Sequence, residues 1–367
     1  MSPIGVAFGG PSPEHDISIL TGLQAARVLG AAGHDVVGLY WSKSEQWHAV
    51  AATHEAGDFV DGPPRDAKPL VLVAVEGQGF LEQGRKQRSL DIDVVLNCCH
   101  GGPGEGGQLQ SALELARVDF TGPSSVGAAI GMDKLTTNAI ATRLGVPVVA
   151  QALLAEDVPP PEPAGPYIVK PRWGGSSIGI EVVADHTTAV ALRSSSAHLK
   201  RGAVIEPYLD GWHDLQLSVR THPALEVSPI ERPLRGTTEI FDYRQKYLAG
   251  EQAGLEHAAR ELPAELPPAV AKGLAGAATG LADALAVRGV ARIDYLWDGG
   301  DQFVFNEINT IPGAMALYLW EAAGRTKAQV LDAMIDEARQ SKSAAWSALG
   351  ADGTALRSAR TIDSKLA

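Results

Sequence analysis

Apolar runs that stop abruptly at glycine set the architecture of this chain. Ile4–Phe8 breaks at Gly9-Gly10-Pro11-Ser12-Pro13, and Asp93–Cys99 runs into His100-Gly101-Gly102-Pro103-Gly104-Glu105-Gly106-Gly107. Glycine lets a strand turn sharply at its end and lets backbone approach a ligand closely. An amphipathic helix is predicted from Asp16 to Ala32, with Ile17, Leu20, Leu23 and Val28 near helical spacing. Strands follow at Asp35–Trp41 and, beyond a polar stretch ending near Asp66, at Pro69–Val75; Gln108–Ala116 reads as a further helix. Strands alternating with helices imply a parallel α/β unit that carries its functional loops at the strand C-termini. That unit ends near Gly122–Ser125.

Composition removes several classes. With 31 Lys+Arg against 43 Asp+Glu the formal charge is −12, which argues against nucleic acid or an anionic membrane as the main partner. No apolar run reaches the ~20 residues of a membrane span, and the opening Met1-Ser2-Pro3-Ile4 has no basic segment leading into an apolar one. Both cysteines, Cys98 and Cys99, lie side by side on one apolar strand. Neighbours on a strand face opposite ways, so they read as core filler rather than a metal pair or disulfide. Few cysteines and no export signal give a cytoplasmic reading.

Beyond the first unit, Met132–Leu144 is read as a helix and the proline-rich Asp157–Pro166 as a linker. The texture then changes to short strands at Tyr167–Lys170, Ile178–Val183, Ala203–Tyr208 and Leu215–Arg220. A helix at Pro267–Val287 leads into a hairpin, Gly289–Trp297 and Gln302–Asn306, around Asp298-Gly299-Gly300-Asp301. Lys327–Arg339 reads as a helix.

Five segments are candidates to carry chemistry. In Ile168-Val169-Lys170-Pro171-Arg172-Trp173-Gly174-Gly175-Ser176-Ser177-Ile178-Gly179 a strand delivers a lysine and then a Gly/Ser loop. Successive backbone amides and a point charge suit phosphate. No Gly-Lys-Ser/Thr follows, so this is not a P-loop; a phosphate cover and a plain hairpin with a surface lysine are the two readings left. On the hairpin, Arg292 and Asp294 share one strand face, as do Glu307 and Asn309 on its partner. Two carboxylates and an amide oxygen are hard donors suited to Mg²⁺ bridging phosphates, and Arg292 alongside suits a developing oxyanion. A solvated face with an Arg–Asp ion pair is the alternative. Glu14-His15, at the sheet edge where ligands bind, and His100 are further candidates. The polar, aromatic Phe241-Asp242-Tyr243-Arg244-Gln245-Lys246-Tyr247 reads as a lid or a surface loop.

Taken in chain order, these pieces resemble the D-alanine–D-alanine ligase family, which has the ATP-grasp fold. The resemblance runs from about Ile4 to Gly324. It rests on Phe8-Gly9-Gly10 with Glu14-His15, His100-Gly101 with Gly104-Glu105, Met132-Asp133-Lys134, Lys170-Pro171 with Gly175-Ser176-Ser177-Ile178-Gly179, Asp242-Tyr243 with Lys246-Tyr247, Ala291-Arg292-Ile293-Asp294, and Asn306-Glu307-Ile308-Asn309-Thr310-Ile311-Pro312-Gly313. It implies an α/β protein with an N-terminal parallel α/β domain (1–125), a central α+β ATP-binding subdomain (126–212), a C-terminal α+β ATP-grasp subdomain (213–342) and a tail (343–367). It also implies a homodimer in the cytoplasm, acting on ATP and D-alanine in peptidoglycan precursor synthesis. ATP would phosphorylate one D-alanine and the amine of a second would attack.

By the same resemblance, Lys134, Lys170 and Lys246 hold phosphates, and the loop with Gly175 and Ser177 covers them. Glu206 and the backbone at Leu209 take adenine; Asp214, or His213, takes the ribose. Asp294, Glu307 and Asn309 hold two Mg²⁺, with Mn²⁺ an alternative. Glu14 takes the donor's ammonium, Arg292 and the Gly313 amide form the oxyanion site, and Ser176 and Tyr247 close it. The chain departs from the family pattern in four places. Ala314-Met315-Ala316-Leu317-Tyr318-Leu319-Trp320 is shorter and has no serine for the acceptor's carboxylate, leaving Tyr318 as the substitute. Pro207 stands for a lysine, Gly106 for an aspartate, and the ribose position is shared by His213 and Asp214. These departures leave a ligase with a different amino or hydroxy acid acceptor, in specialised metabolism, as the alternative.

Overall fold

A computed structural model describes residues 2–84, 87–234, 259–341, 347–359 and 361–363. The first sheet is built from β1 (Ile4–Gly9), β2 (Val36–Trp41), β3 (Trp47–Ala51), β4 (Lys68–Val73), β5 (Gly79–Glu82), β6 (Arg88–Ser89), β7 (Val94–Asn97) and β8 (Asp119–Phe120), in the order β6-β5-β4-β3-β2-β1-β7-β8. β2, β1, β7 and β8 are parallel, as the alternation of strands and helices requires. β3 to β6 extend the sheet antiparallel. The N-terminal unit is therefore a mixed sheet with a parallel core. Of this antiparallel wing β4 matches the strand read at Pro69–Val75, whereas β3 lies in the stretch read as polar, because Trp47–Ala51 is a short strand with no alternating pattern.

Helix α1 (His15–Ala31) lies on one face of this sheet. There Ile4, Val6, Phe8 and Cys98 pack with Leu23, Ala26 and Leu29, and with Val330, Leu331, Met334 and Ile335 of the C-terminal helix Lys327–Gln340. On the other face Ala7, Leu39, Val95 and Cys99 pack with Leu109 and Leu113 of α3 (Gln108–Ala116), which follows the short α2 (Gly102–Glu105). Cys98 and Cys99 thus sit in two different cores, both free.

Helices α4 (Ser125–Met132) and α5 (Lys134–Arg143) meet at Asp133, whose carboxylate caps α5 by accepting from Leu135 and Thr136 amides. A second sheet, of β9 (Ala152–Leu153), β10 (Tyr167–Pro171), β11 (Glu181–Val183) and β12 (Ala203–Pro207), runs β11-β10-β12-β9 under α6 (His186–Ser195). A third holds β13 (His213–Arg220), β14 (Glu226–Val227), β17 (Val290–Trp297) and β18 (Phe303–Asn309) in the order β14-β13-β17-β18; β15 (Arg232–Pro233) and β16 (Arg260–Glu261) form a separate pair. The helix Pro268–Ala284 buries Val270, Leu274, Ala278 and Leu281 against Leu215, Leu217, Ile293 and Tyr295 of this sheet.

Because the C-terminal helix returns to the first sheet, the chain that follows β18 lies against α1 and the end of β7. The loops after β1, β7 and β18 therefore converge.

Candidate active site

β1 and β7 are adjacent parallel strands whose helices continue toward opposite edges of the sheet, and such a reversal opens a crevice at their C-terminal ends. Glu14 leaves β1 at this point. Its Oε1 accepts from the Ser176 hydroxyl, contributed by the Gly/Ser loop after β10. The carboxylate is flanked by two glycines. A Cβ on Gly101 would stand 2.3 Å from Glu14 Oε2, and one on Gly175 3.1 Å from the same oxygen. A side chain at Gly101 would force the carboxylate to move, and one at Gly175 would press on it.

His100 follows β7 and is 3 % exposed. Its Nδ1 is 2.8 Å from the Ile311 carbonyl and its Nε2 2.8 Å from Thr21 Oγ1. A carbonyl only accepts, so Nδ1 carries the proton and the Thr21 hydroxyl donates to Nε2. Thr21 Oγ1 in turn accepts from the Ala314 amide at 3.1 Å. Burial pushes the His100 pKa down to about 4; its bond to Ile311 opposes this and the Arg292 charge adds to it. Glu105 takes the Gly101 amide on Oε2 at 2.9 Å and the Ile311 amide on Oε1 at 3.1 Å. Burial and the neighbouring Glu14 charge raise its pKa to about 7, against the two amides. Together these two side chains fasten the loop after β18 to the loop after β7.

On the third sheet the register is as the strand alternation demands. Arg292 lies opposite Asn309, and Asp294 opposite Glu307, with a bulge beyond Asp294. Arg292 grips Asp294 through two parallel bonds, Nε to Oδ1 at 2.7 Å and Nη2 to Oδ2 at 2.8 Å. Asn309 Nδ2 donates to Asp294 Oδ2 at 3.2 Å. The Ser176 hydroxyl, Glu14, His100, Glu105, Arg292, Asn309, Ile311 and Gly313 line one small polar cavity. Past Gly313 the backbone makes a left-handed turn: Ala314, Met315 and Ala316 have φ of 48°, 52° and 50°.

Two buried lysines adjoin this cavity. Lys134 opens α5 and donates to the Gly174 carbonyl at 2.5 Å; its Nζ is 2.9 Å from Glu307 Oε2. Burial is the strongest single influence and works to discharge it, but the charge and hydrogen bond of Glu307 together with the charges of Glu206 and Glu14 outweigh it, and its pKa lies above the ordinary value. Lys170 bonds Glu206 Oε2 at 2.6 Å and Asn306 Oδ1 at 2.9 Å, while Gln151 holds the other Glu206 oxygen at 2.5 Å. Arg172 pairs with Asp133 and lies 4.5 Å over the Trp173 ring, which fixes the start of the Gly/Ser loop. Ser176 and Ser177 in that loop take positive φ of 53° and 58°.

Asp294, Glu307 and Asn309 offer two carboxylates and an amide oxygen, with no cluster of three or more His, Cys, Asp or Glu among the described residues arranged to cage an ion. That is the donor set of a Mg²⁺ shared with substrate phosphates rather than of a closed protein site, and the residues fit such an ion.

The structure thus brings Glu14, Ser176, Arg292 and Gly313 together, with Asp294, Glu307, Asn309, Lys134 and Lys170 beside them. His213 and Asp214 lie apart, on a cleft also lined by Trp212, Arg232 and Leu234, and Leu209 is half-buried near its rim. Lys246, Tyr247 and the proposed lid lie outside the described residues. Tyr318 does not offer its hydroxyl to this cavity: it donates to Glu231 Oε2 at 2.6 Å. Glu105, Thr21 and Asn306 were not singled out from sequence as site residues. Glu105 and Asn306 stood within quoted motifs, whereas a threonine inside an amphipathic helix gives no signal.

A nucleotide-scale fold of this kind, with paired lysines, a Gly/Ser loop and hard oxygen donors on facing strands, defines the class as an ATP-grasp ligase. Solved structures agree on the fold: D-alanyl-alanine synthetase A from Vibrio cholerae superposes with a TM-score of 0.76 at 22% identity, over 93% of this chain and 99% of that one. The VanG D-Ala:D-Ser ligase from Enterococcus faecalis gives 0.73 at 24%, over 92% and 99%. Family profiles described as D-ala D-ala ligase N-terminus and C-terminus match residues 3–123 and 162–336. D-alanine–D-alanine ligase B of Bradyrhizobium diazoefficiens is 30% identical, covering 91% of this chain and 92% of that protein. The D-alanine–D-alanine ligase of a Thermoanaerobacter species is also 30% identical, over 92% and 96%.

The chain belongs to the D-alanine–D-alanine ligase family. It is an ATP-dependent carbon–nitrogen ligase of small molecules, from a family that uses a divalent metal. No helix among the described residues is long and apolar enough to cross a membrane.

Proposed function

We propose that this enzyme joins two D-alanines through a D-alanyl phosphate, in the cytoplasm and as a homodimer, to supply peptidoglycan precursors. The observation that carries the reading is the convergence of Glu14, Arg292 and Gly313 on one cavity from three distant parts of the chain. A carboxylate for an ammonium, a guanidinium and a backbone amide are what an α-amino acid donor requires.

Glu14 takes the donor's ammonium, and Ser176 fixes the carboxylate that does so. The donor's carboxylate oxygen attacks the γ-phosphorus of ATP and ADP leaves. Lys134 and Lys170 hold phosphate oxygens, sharing themselves with Glu307 and Glu206, while the Gly174–Gly179 loop covers them and Lys246 adds charge. Glu206 and the Leu209 backbone take adenine, with Asp214 or His213 at the ribose. Asp294, Glu307 and Asn309 would hold two Mg²⁺, replaceable by Mn²⁺, which neutralise phosphoryl charge when bound.

The acceptor's amine then attacks the carbonyl carbon of the acyl phosphate, and the C–O bond breaks as phosphate departs. The oxyanion formed in between rests on Arg292 and the Gly313 N–H, prearranged and poorly hydrated. Ser176 and Tyr247 close the site. The same reading divides the chain into units at 1–125, 126–212 and 213–342, with 343–367 a tail, and the separation of the three sheets supports it.

The test is ADP release from ATP and Mg²⁺ with D-alanine alone, followed by D-alanine with a panel of amino and hydroxy acids. Rapid turnover with D-alanine alone, yielding the dipeptide, is expected. Turnover only with a second compound would refute the homodipeptide and keep the ligase. The acceptor alternative has one observation in its favour, the engagement of Tyr318 by Glu231.

A further inference from the structure

The turn that carries the Gly313 amide is held in a conformation its own side chains disfavour. Ala314, Met315 and Ala316 all have positive φ, a region that such residues keep only where their surroundings enforce it. Within the turn the Met315 N–H donates to the Pro312 carbonyl at 2.8 Å. A trans peptide holds its N–H opposite its carbonyl, so the Gly313 N–H is turned away from Met315, and Gly313 lines the cavity. The direction of that N–H therefore depends on what fixes the peptides on either side. One hydrogen-bonded chain from the N-terminal unit does so. The Ala314 N–H donates to Thr21 Oγ1 at 3.1 Å. A hydroxyl has a single proton, and Thr21 gives its own to His100 Nε2, 2.8 Å away. The His100 Nδ1–H then returns to the Ile311 carbonyl at 2.8 Å. Every bond in the chain points the same way, so each polarises the next, and the chain leaves the turn at Ala314 and re-enters it at Ile311. Helix α1 puts the hydroxyl in place. Glu14, Ser18 and Thr21 are four and three residues apart and share one helical face. Glu14 reaches the cavity. Ser18 Oγ accepts from the Gly9 N–H at 2.7 Å and donates to the Cys98 carbonyl at 2.8 Å, which ties the end of β1 to the residue after β7. Thr21, 3 % exposed, reaches the turn after β18.

We propose that Thr21 is a positioning residue for the oxyanion site: through Ala314 and His100 it sets the direction of the Gly313 N–H, and so acts on the attack of the acceptor's amine rather than on the binding of either amino acid. The inference rests on the ligase reading above. Full charge gathers on the carbonyl oxygen as the amine attacks the acyl phosphate, and an N–H aimed at that oxygen counts most at that moment. Without the hydroxyl the Ala314 N–H loses its acceptor and His100 Nε2 its donor. The left-handed turn then relaxes toward ordinary backbone angles, and the Gly313 N–H swings with it.

The test compares Thr21→Val, which keeps the shape of the side chain and removes the hydroxyl, with Thr21→Ser, which keeps the hydroxyl. Steady-state turnover gives kcat and the KM of ATP and of the donor. Inhibition by a phosphinate dipeptide, whose charged P–O group copies the tetrahedral oxyanion, reads the oxyanion site directly. Thr21→Val is expected to lower kcat by at least ~10-fold and to weaken the phosphinate by a similar factor, with both KM values within ~3-fold of the parent. Thr21→Ser is expected to keep more than about half of the parent kcat, since it still joins Ala314 to His100. The proposal is overturned if Thr21→Val keeps the parent kcat, or if its donor KM rises as much as its kcat falls, as it would if the whole loop were displaced. Thr21→Ala carries the same comparison where Thr21→Val does not fold, and a loss in Thr21→Ser equal to theirs also overturns the proposal. Parent enzyme that releases no ADP with any amino or hydroxy acid acceptor would instead refute the ligase reading, before any variant is made.

Discussion

Replacing Glu105 by glutamine and, separately, His100 by glutamine should tilt the pH dependence of stability in opposite directions. Both side chains are fully enclosed and both hold the loop at Ile311. Glu105 has a pKa of about 7 in the fold against an ordinary 4.5. Between those values the native state keeps a proton that the unfolded chain has lost, so this residue's contribution to stability declines as pH rises from 4.5 to 7. His100 has a pKa of about 4 against an ordinary 6.5. Between those values the unfolded chain holds a proton that the native state lacks, so stability is lost as pH falls from 6.5 to 4. At ~1.4 kcal/mol per pH unit each slope amounts to roughly 3 kcal/mol over its window. In the parent the two nearly cancel where the windows overlap. Relative to the parent, Glu105→Gln should gain on the order of 3 kcal/mol between pH 4.5 and 7, and His100→Gln should lose a similar amount between pH 4 and 6.5. Lost hydrogen bonds displace each curve without tilting it. Urea unfolding followed by circular dichroism across pH 4 to 7.5 reads both slopes. Parallel curves for parent and variants, or slopes of the same sign in the two variants, would refute the assignment of a protonated carboxyl to Glu105 and a neutral imidazole to His100.

Gly101→Ala places a Cβ against the Glu14 carboxylate, at a φ of +62°. It should cost about a hundredfold in kcat/KM for the donor, measured by hydroxamate formation, with Gly175→Ala milder. Lys170→Gln leaves Glu206 buried beside no ammonium and should destabilise the protein by about 3 kcal/mol in urea titrations, as well as weaken ATP binding. Burial raises both cysteine pKa values, so a thiol reagent such as Ellman's should titrate neither Cys98 nor Cys99 until denaturant is added.

The parallel half of the first sheet was legible because glycines ended its strands and an amphipathic helix separated them. Of the antiparallel wing only the strand read at Pro69–Val75 was legible, since the five residues Trp47–Ala51 include four buried ones and offer no alternation to read. Charged residues on apolar strands gave away Lys170, Arg292, Asp294 and Glu307, because burying such groups demands a partner or a ligand. What those partners are depends on tertiary approach. Lys134 meets Glu307, and Tyr318 turns to Glu231 rather than to the cavity, through contacts that neither periodicity nor spacing encodes. Thr21 and Ile311 matter through a hydroxyl and a peptide group, and every chain carries many of those.

The turn at Ala314–Ala316 has a stereochemical consequence. Three consecutive L-residues there hold the dihedral angles that residues of the opposite hand prefer. Chemically synthesised protein carrying D-alanine at position 314 or 316 should accommodate that turn with less strain than the natural L-residue. Ribosomal synthesis has only glycine to offer in the same direction. The backbone that leaves the cavity at Gly313 is thus a stretch that mirror-image alanine would suit better than the alanine it contains.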